Sequence, residues 1–311
     1  MGRRCFLAAT ALVVCLLCLV VPGCGRGVAE GGGGGKPVAV ATIFCYYDIL
    51  RAVGGDHIRT EILLQPNQSP HEFQASPADK EKVLSAGLIV KNGLGIDDWV
   101  DRLASDGHAR MVEIGKDAAV LHTEEVEWEP ASAAKEAPRD SGSANPHIWL
   151  DPAVQMKATE VIRAALVELD PAHQADFAAN AAAYTAQLQK LDADFRAATA
   201  TFKHRDFIGF HSAYDYLAHR YGLRQVAALQ EVEGSLSPAQ IDKVIALIRK
   251  DHVPVLFTED AFPQQSADLI KRETGVELGV LQPLESYPNL NATYDSLMRQ
   301  NLAELQRTLG R

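Results

Sequence analysis

Cysteine is nearly absent from the part of this sequence that can form a globular domain. Four of the five cysteines lie within the first 24 residues, which leaves Cys45 alone downstream. A single thiol excludes both a disulfide framework and a cysteine metal cluster in that region. Cys45 follows the apolar run Val38 to Phe44, a setting typical of a small buried hydrophobe more than of a reactive thiol.

The sequence also lacks an excess of basic charge. It has 30 Lys and Arg against 40 Asp and Glu, for a formal net charge of −10. Removal of residues 1–23 would take away Arg3 and Arg4 but no acid, leaving 28 basic residues against 40 acidic ones. An acidic protein of this kind argues against nucleic acid and anionic lipid as partners. The balance is weakly compatible with cation capture, although a solvated surface explains most of these charges.

A long apolar run occurs at the N-terminus. Residues 5–21 have Thr10 as their one polar residue and follow two arginines. This composition predicts an export signal over residues 1–23, and the run is too short and too one-sided to indicate a membrane span.

The residues after this run predict a membrane attachment. Gly23 directly before Cys24 resembles a bacterial lipobox, in which Cys24 becomes the lipidated first residue of the mature protein. Pro22 is unusual in that motif. Two alternatives to lipidation of Cys24 therefore stay open: cleavage by an ordinary signal peptidase, and no cleavage at all. Residues 24–36 are rich in glycine and suit a flexible tether. We expect an extracytoplasmic protein that is lipid-anchored to the cell membrane or periplasmic.

The remaining residues, about 275 of them, favour two domains. The predicted first lobe spans residues 37–172. From Pro37 to about Ile114 it alternates apolar runs with helical patterns, including a helix near Tyr47 to Val53 and one from Pro77 to Ala86, which predicts a parallel sheet with helices on both faces. Residues 122–145 break this pattern. They are acidic and rich in Ala, Ser and Pro, as expected for a surface loop.

One long helix is predicted over residues 173–203. Its apolar residues recur at steps of three and four and form one stripe: Phe177, Ala181, Tyr184, Leu188, Leu191 and Phe195. Residues 204–311 repeat the alternation of strands and helices, including a helix over Ala213 to Tyr221. The sequence therefore predicts an α/β fold of two similar lobes, each with a parallel sheet flanked by helices, joined by one long backbone helix.

Three histidines are the candidate metal ligands: His71 in SPHEF, His147 in NPHIWLDP and His211 in FHSAY. His71 and His147 each follow a proline, which restricts the backbone that presents them. His211 closes an apolar strand before a helix, where an α/β lobe offers side chains to a cleft. Three neutral imidazoles without cysteine suit Zn²⁺ better than Ca²⁺ or Mg²⁺. The order of these residues predicts a centre between the lobes, with His71 and His147 on the first lobe and His211 on the second.

Four segments together resemble one protein family. SPHEFQASPAD, NPHIWLDP, FIGFHSAYDYLAHRYGL and VLFTEDAFPQQSADLIKRETGVELGVLQPL are similar, in this order, to the metal-binding lipoproteins of bacterial ABC importers (cluster A-I), and most of all to the high-affinity zinc-binding type. The resemblance covers the chain from about Lys36 to its end. It implies ligands at the positions of His71, His147 and His211. A histidine at the third position is typical of zinc binders in this family, and a carboxylate there of manganese or iron binders.

The fourth ligand position departs from the family pattern. Members usually carry an aspartate after the last strand, where this chain has Gln282. The fourth place is therefore taken by Gln282, a water molecule or a nearby acid such as Glu259 or Glu285. A neutral donor would reduce affinity for Mn²⁺ more than for Zn²⁺. Asp151 in NPHIWLDP is either the N-terminal residue of a helix or an outer partner that orients His147.

These observations predict extracytoplasmic capture of a divalent transition metal and its delivery to the permease of an ABC importer. The metal is Zn²⁺, with Mn²⁺ as the alternative, and the carrier is a monomer attached to the membrane by a lipid anchor. A manganese- or iron-binding importer component and a surface adhesin are alternatives that share the fold.

A zinc hydrolase is a further alternative, because three histidines and a water also form a catalytic site. It would need a general base, for which Glu72 and Glu259 are the candidates. The sequence contains no HExxH or paired-metal motif, so we expect a binding protein and not an enzyme.

Overall fold

The computed structural model describes residues 35–121, 144–229, 236–259, 264–285, 287–289 and 291–311. The predicted signal peptide, the predicted lipidation site at Cys24 and the predicted tether up to residue 34 lie outside the described residues, and so do residues 122–143 of the predicted acidic loop. Residues Lys36–Arg311 form one compact unit.

The first lobe is built on a parallel four-stranded sheet with the order β2-β1-β3-β4. Its strands are β1 (Val38–Ala41), β2 (Arg59–Ile62), β3 (Leu88–Lys91) and β4 (Arg110–Glu113). The two central strands are almost entirely buried, which is expected of a parallel sheet covered on both faces.

Four helices accompany this sheet in the described residues: α1 (Phe44–Gly54), α2 (Pro77–Ser85), α3 (Trp99–Ala104) and α4 (Pro152–Leu169). Ser76 begins α2 with a capping box, in which its hydroxyl accepts from Asp79 N and its own N–H donates to the Asp79 carboxylate. Asp151 begins α4, where its Oδ1 accepts from Ala153 N at 2.7 Å.

The long helix α5 (Gln174–Thr199) has 26 residues and packs against α1, α4 and the C-terminal helix Tyr294–Leu309. It is shorter than the predicted span of 173–203, because Pro171–His173 form a separate 3₁₀ turn and the regular helix stops at Thr199. All six residues of the predicted apolar stripe are buried. Burial of one side along seven turns makes α5 a stiff connection between the lobes.

The second lobe repeats the strand arrangement of the first. Its sheet is parallel with the order β6-β5-β7-β8. The strands are β5 (Asp206–Gly209), β6 (Arg224–Ala228), β7 (Val255–Thr258) and β8 (Glu277–Val280). The helices are α6 (Asp215–Tyr221), α7 (Pro238–Asp251), α8 (Gln264–Thr274) and α9 (Tyr294–Leu309). The prediction of two similar α/β lobes joined by one long helix is confirmed.

The chain that follows β8 packs against the first lobe. The ring of Tyr287 stacks on Phe44 with centroids 5.1 Å apart, and Tyr294 N donates to the buried carboxylate of Asp48 at 3.0 Å. One apolar core therefore runs through α1, α4, α5 and α9, and a smaller one fills the outer side of the second sheet. Within the described residues, none of the helices has the length and apolar character that a membrane span requires.

Candidate metal centre

His71 lies in the loop between β2 and α2, at the carboxyl end of the first sheet. Its backbone N–H donates to Ser69 Oγ at 3.3 Å. The side chain is 36% exposed, whereas the other predicted histidines are much more buried. His71 therefore forms the solvent side of the cluster.

His147 precedes a 3₁₀ turn over Ile148–Leu150 that leads into α4. It is 4% exposed. Asn145 Oδ1 accepts from both its backbone N, at 3.0 Å, and its ring Nδ1, at 2.7 Å. The other ring nitrogen, Nε2, points toward Glu285. Asp151 caps α4 and contacts Arg220 at 3.1 Å. The hydrogen bond to the outer nitrogen of the His147 ring comes from Asn145.

His211 follows β5 and lies opposite the other two histidines. Its Nδ1 is 2.6 Å from Glu259 Oε1, and its backbone oxygen accepts from Gln225 Nε2 at 2.7 Å. The hydroxyl of Tyr214 donates to Leu281 O at 2.9 Å and lies 3.4 Å from the same Glu259 oxygen. Glu259 thus lies behind His211, at the nitrogen that faces away from the cluster.

Glu285 supplies the carboxylate at the centre of the cluster. Its Oε1 lies 2.8 Å from His147 Nε2, 3.0 Å from His211 Nε2 and 3.3 Å from His71 Nε2. The sequence had named Glu285 only as one alternative for the fourth donor. At Gln282, the backbone N–H and carbonyl both pair with the side chain of Asn301, at 2.8 Å each.

The loop that carries Glu285 is held by residues of the first lobe. Trp149 Nε1 donates to Pro283 O at 2.7 Å, and Cys45 Sγ donates to Leu284 O at 3.3 Å. Leu284 has a φ of 57°, a left-handed conformation that costs a non-glycine residue roughly 1–3 kcal/mol and persists where surrounding contacts enforce it. Cys45 is buried, as predicted, and its thiol supports this turn.

Four donor atoms of these residues, one each from His71, His147, His211 and Glu285, lie within 4.8 Å of one another. His147 Nε2 and His211 Nε2 are 3.3 Å apart. Donors around a tetrahedral zinc ion at about 2.0–2.1 Å are separated by roughly 3.3 Å. The set of three imidazoles and one carboxylate therefore has the chemistry and the spacing of a zinc site.

Burial and charge perturb the pKa of each buried member of this cluster. Burial lowers the pKa of His147 to about 4, and Glu285 offsets only part of that effect. Burial also opposes protonation of His211, but Glu285 and Glu259 outweigh it and raise its pKa to about 10. Burial alone would raise the pKa of Glu285, yet His211 and His147 hold it well below the usual range. These opposite shifts favour a charged pair of His211 and Glu285.

The chain matches the family model described as "ZnuA: Zinc-uptake complex component A periplasmic" over residues 39–308. The chain belongs to this family. Its members are components of an uptake complex and not enzymes, in agreement with the expectation from sequence.

Two relatives and one solved structure illustrate the similarity. The chain is 28% identical over 308 residues to the high-affinity zinc uptake system protein ZnuA of Bacillus subtilis, with 96% of each chain covered. It is 30% identical over 280 residues to the iron-binding protein YfeA of Yersinia pestis, covering 87% of this chain and 86% of that one. The crystal structure of the Zn(II)-bound ZnuA-like domain of Streptococcus pneumoniae AdcA matches with a TM-score of 0.75 and 27% identity, covering 89% of this chain and all of that one.

The chain spans about half the length of the full AdcA lipoproteins that it matches, 56% in the pneumococcal protein.

Proposed function

We propose that this protein captures Zn²⁺ outside the cytoplasmic membrane and delivers it to the permease of an ABC importer. His71, His147, His211 and Glu285 hold the ion. The observation that carries the proposal is the convergence of three imidazole nitrogens on one carboxylate oxygen, from four separate loops of two lobes. Membership of a family of periplasmic zinc-uptake components supports the location and the partner.

The donor set favours Zn²⁺ over the alternative, Mn²⁺. Three imidazoles and one carboxylate give borderline nitrogen donors and a single negative charge, which suit Zn²⁺, whereas hard Mn²⁺ prefers more oxygen donors. The iron-binding name of one relative shows that metal identity varies among similar proteins, so the choice rests on the donors of this chain.

The position of His71 supports entry of the ion from solvent. Of the three histidines it is the most exposed, while Glu285 and His147 line the base of the site. Bound metal would be screened from water on the His147 side. Lipidation of Cys24 and a monomeric state complete the proposal: a tethered carrier would stay close to its permease.

Competition binding tests the metal assignment. The purified protein is titrated with Zn²⁺ and with Mn²⁺ against a chelator of known affinity, and Zn²⁺ is expected to bind at least 100-fold more tightly. Manganese binding of equal or greater strength would contradict the assignment. Transport is tested separately by zinc uptake in cells that carry or lack the gene, with the His147→Ala variant as the binding-deficient control.

A further inference from the structure

Asn145 is a buried amide whose side chain contacts both sides of the metal centre. It is 1% exposed. Its Oδ1 accepts two hydrogen bonds from His147, and its Nδ2 donates to Ser212 O and to Asp215 Oδ2, each at 2.8 Å. Ser212 directly follows His211 in the chain. One side chain therefore links the loop of one histidine to the loop of another across the two lobes.

This network determines which way the amide points. With the oxygen and nitrogen exchanged, an N–H group would face the backbone N–H of His147, and an oxygen would face the Ser212 carbonyl and the Asp215 carboxylate. In this exchanged orientation, two donors would face each other at His147, and acceptors would face each other at Ser212 and Asp215. The observed orientation satisfies the amide oxygen twice and the amide nitrogen twice.

The orientation of Asn145 then selects the tautomer of His147. An amide oxygen can only accept, so the ring Nδ1 carries a proton, and a metal can be bound by this ring only through the lone pair of Nε2. Nε2 is the atom that faces Glu285 and His211. A metal-binding histidine needs this arrangement, with the outer nitrogen donating and the inner one free to coordinate.

We propose that Asn145 is a positioning residue of the metal centre: it fixes His147 as the Nδ1–H tautomer and sets the separation between the loops of His147 and His211. The inference rests on the proposed zinc site. It assigns Asn145 two separable tasks, accepting from His147 and donating to the His211 side. Loss of an outer partner of this kind costs a metal site roughly 10- to 100-fold in affinity.

Two substitutions distinguish these tasks. Asn145→Ala removes both, and we expect its zinc Kd to rise about 10- to 100-fold, mainly through faster dissociation. Asn145→Asp keeps the acceptor for His147 but replaces the donor with a carboxylate beside Asp215. We expect a smaller loss of about tenfold, and partial recovery in the double variant Asn145→Asp, Asp215→Asn, where donor and acceptor are exchanged at residue 215 while the Ser212 carbonyl still lacks its donor.

The experiment measures the zinc Kd and dissociation rate of each variant, with Asn180→Ala as the matched control. Asn180 donates to Val53 O from α5, remote from the centre, and its loss should leave the Kd within twofold. Imidazole ¹⁵N spectra of the zinc-loaded protein should show a protonated Nδ1 and a metal-bound Nε2 for His147, with the Nδ1 proton exchanging faster in Asn145→Ala.

The outcomes separate this inference from the proposed function. If the wild type does not bind one zinc ion, the proposed function fails. If the wild type binds and both Asn145 variants bind equally well, even with lowered melting temperatures, Asn145 is merely structural and the inference is overturned. If Asn145→Ala does not fold, the test rests on Asn145→Asp and its double variant. The link between the loops is contradicted if Asn145→Asp loses no zinc affinity, or if the double variant recovers none of the affinity that was lost.

Discussion

Glu285 Oε1 lies 2.8 Å from His147 Nε2 although 138 residues separate the two in sequence. The contact is made inside the protein, where His147 is 4% and Glu285 7% exposed. Because the turn that carries Glu285 is tied to Trp149 and Cys45 of the first lobe, three of the four proposed ligands are held by first-lobe contacts. His211 is the ligand held on the opposite side.

The first prediction concerns the charge of Glu285. Glu285→Gln replaces the carboxylate with a neutral amide of nearly the same shape, which is a poorer zinc ligand. We expect the zinc Kd to rise at least by the roughly 10- to 100-fold that loss of a metal-site partner causes, as measured by chelator competition. Glu168→Gln, at an exposed ion pair with Arg110, should leave the Kd unchanged. Equal affinity for Glu285→Gln would remove Glu285 from the ligand set.

The second prediction concerns protons released on binding. The pKa of His211 is raised to about 10, so the ring is protonated at pH 8, and coordination through Nε2 must displace a proton. The pKa of His147 is lowered to about 4, so that ring has none to release at this pH. Calorimetry in buffers of different ionisation enthalpy should therefore give about one proton per zinc ion at pH 8. Binding without proton release would show that His211 is neutral before zinc arrives.

The third prediction is the pH dependence of stability in the metal-free protein. The pKa of His211 is raised to about 10 on folding, so its contribution is complete below the unfolded value of about 6.5 and is lost as pH rises toward 10. The pKa of Glu285 is lowered, so its contribution is present above about 4.5 and is lost as pH falls. His147, with its pKa lowered to about 4, opposes folding increasingly below pH 6.5.

Together these three groups place the maximum of their contribution near pH 6.5. Urea unfolding of wild type and His211→Gln between pH 6.5 and 10 checks this. The difference in free energy of unfolding between the two proteins should shrink steadily as pH rises. A constant difference would contradict the raised pKa of His211.

The fourth prediction concerns the ion pair that joins α6 to α5. Arg220 makes two hydrogen bonds to Asp192, at 2.7 and 2.8 Å, and its Nε lies 3.1 Å from Asp151 Oδ1. Lysine cannot reproduce this paired geometry. Arg220→Lys should lower the free energy of unfolding by about 1–3 kcal/mol. Arg163→Lys, which alters an exposed pair with Glu160, should change it by less than about 0.5 kcal/mol; equal effects would show that the Arg220 pair adds nothing specific.

Local signals in the sequence predicted much of the fold. The apolar period of three and four located α5, and the predicted start of α2 at Pro77 is where the structure has it, after the capping box of Ser76. The start of α1 was harder to predict. It begins at Phe44, three residues before the predicted Tyr47, and its N-cap residue, Ile43, provides no side-chain cap, so the sequence carries no start signal there.

Tertiary contacts decided what the sequence left open. The helix predicted from Ala213 begins at Asp215, because the preceding turn is tied to Asn145 through Ser212 O. The position of Glu285 depends on the left-handed turn at Leu284 and on its contacts with Trp149 and Cys45, more than 130 residues away. The three histidines could be selected from local context, since each lies in a constrained loop. Glu285, whose carboxylate contacts these histidines, could not be selected in this way.

Stoichiometric zinc titration of the purified protein and of His147→Ala tests the central claim most directly, with His204→Ala, an exposed histidine, as the control. We expect one tightly bound zinc ion for the wild type and the control, and loss of stoichiometric binding in His147→Ala. Retention of full binding by His147→Ala would show that zinc binds elsewhere and would contradict the interlobe site.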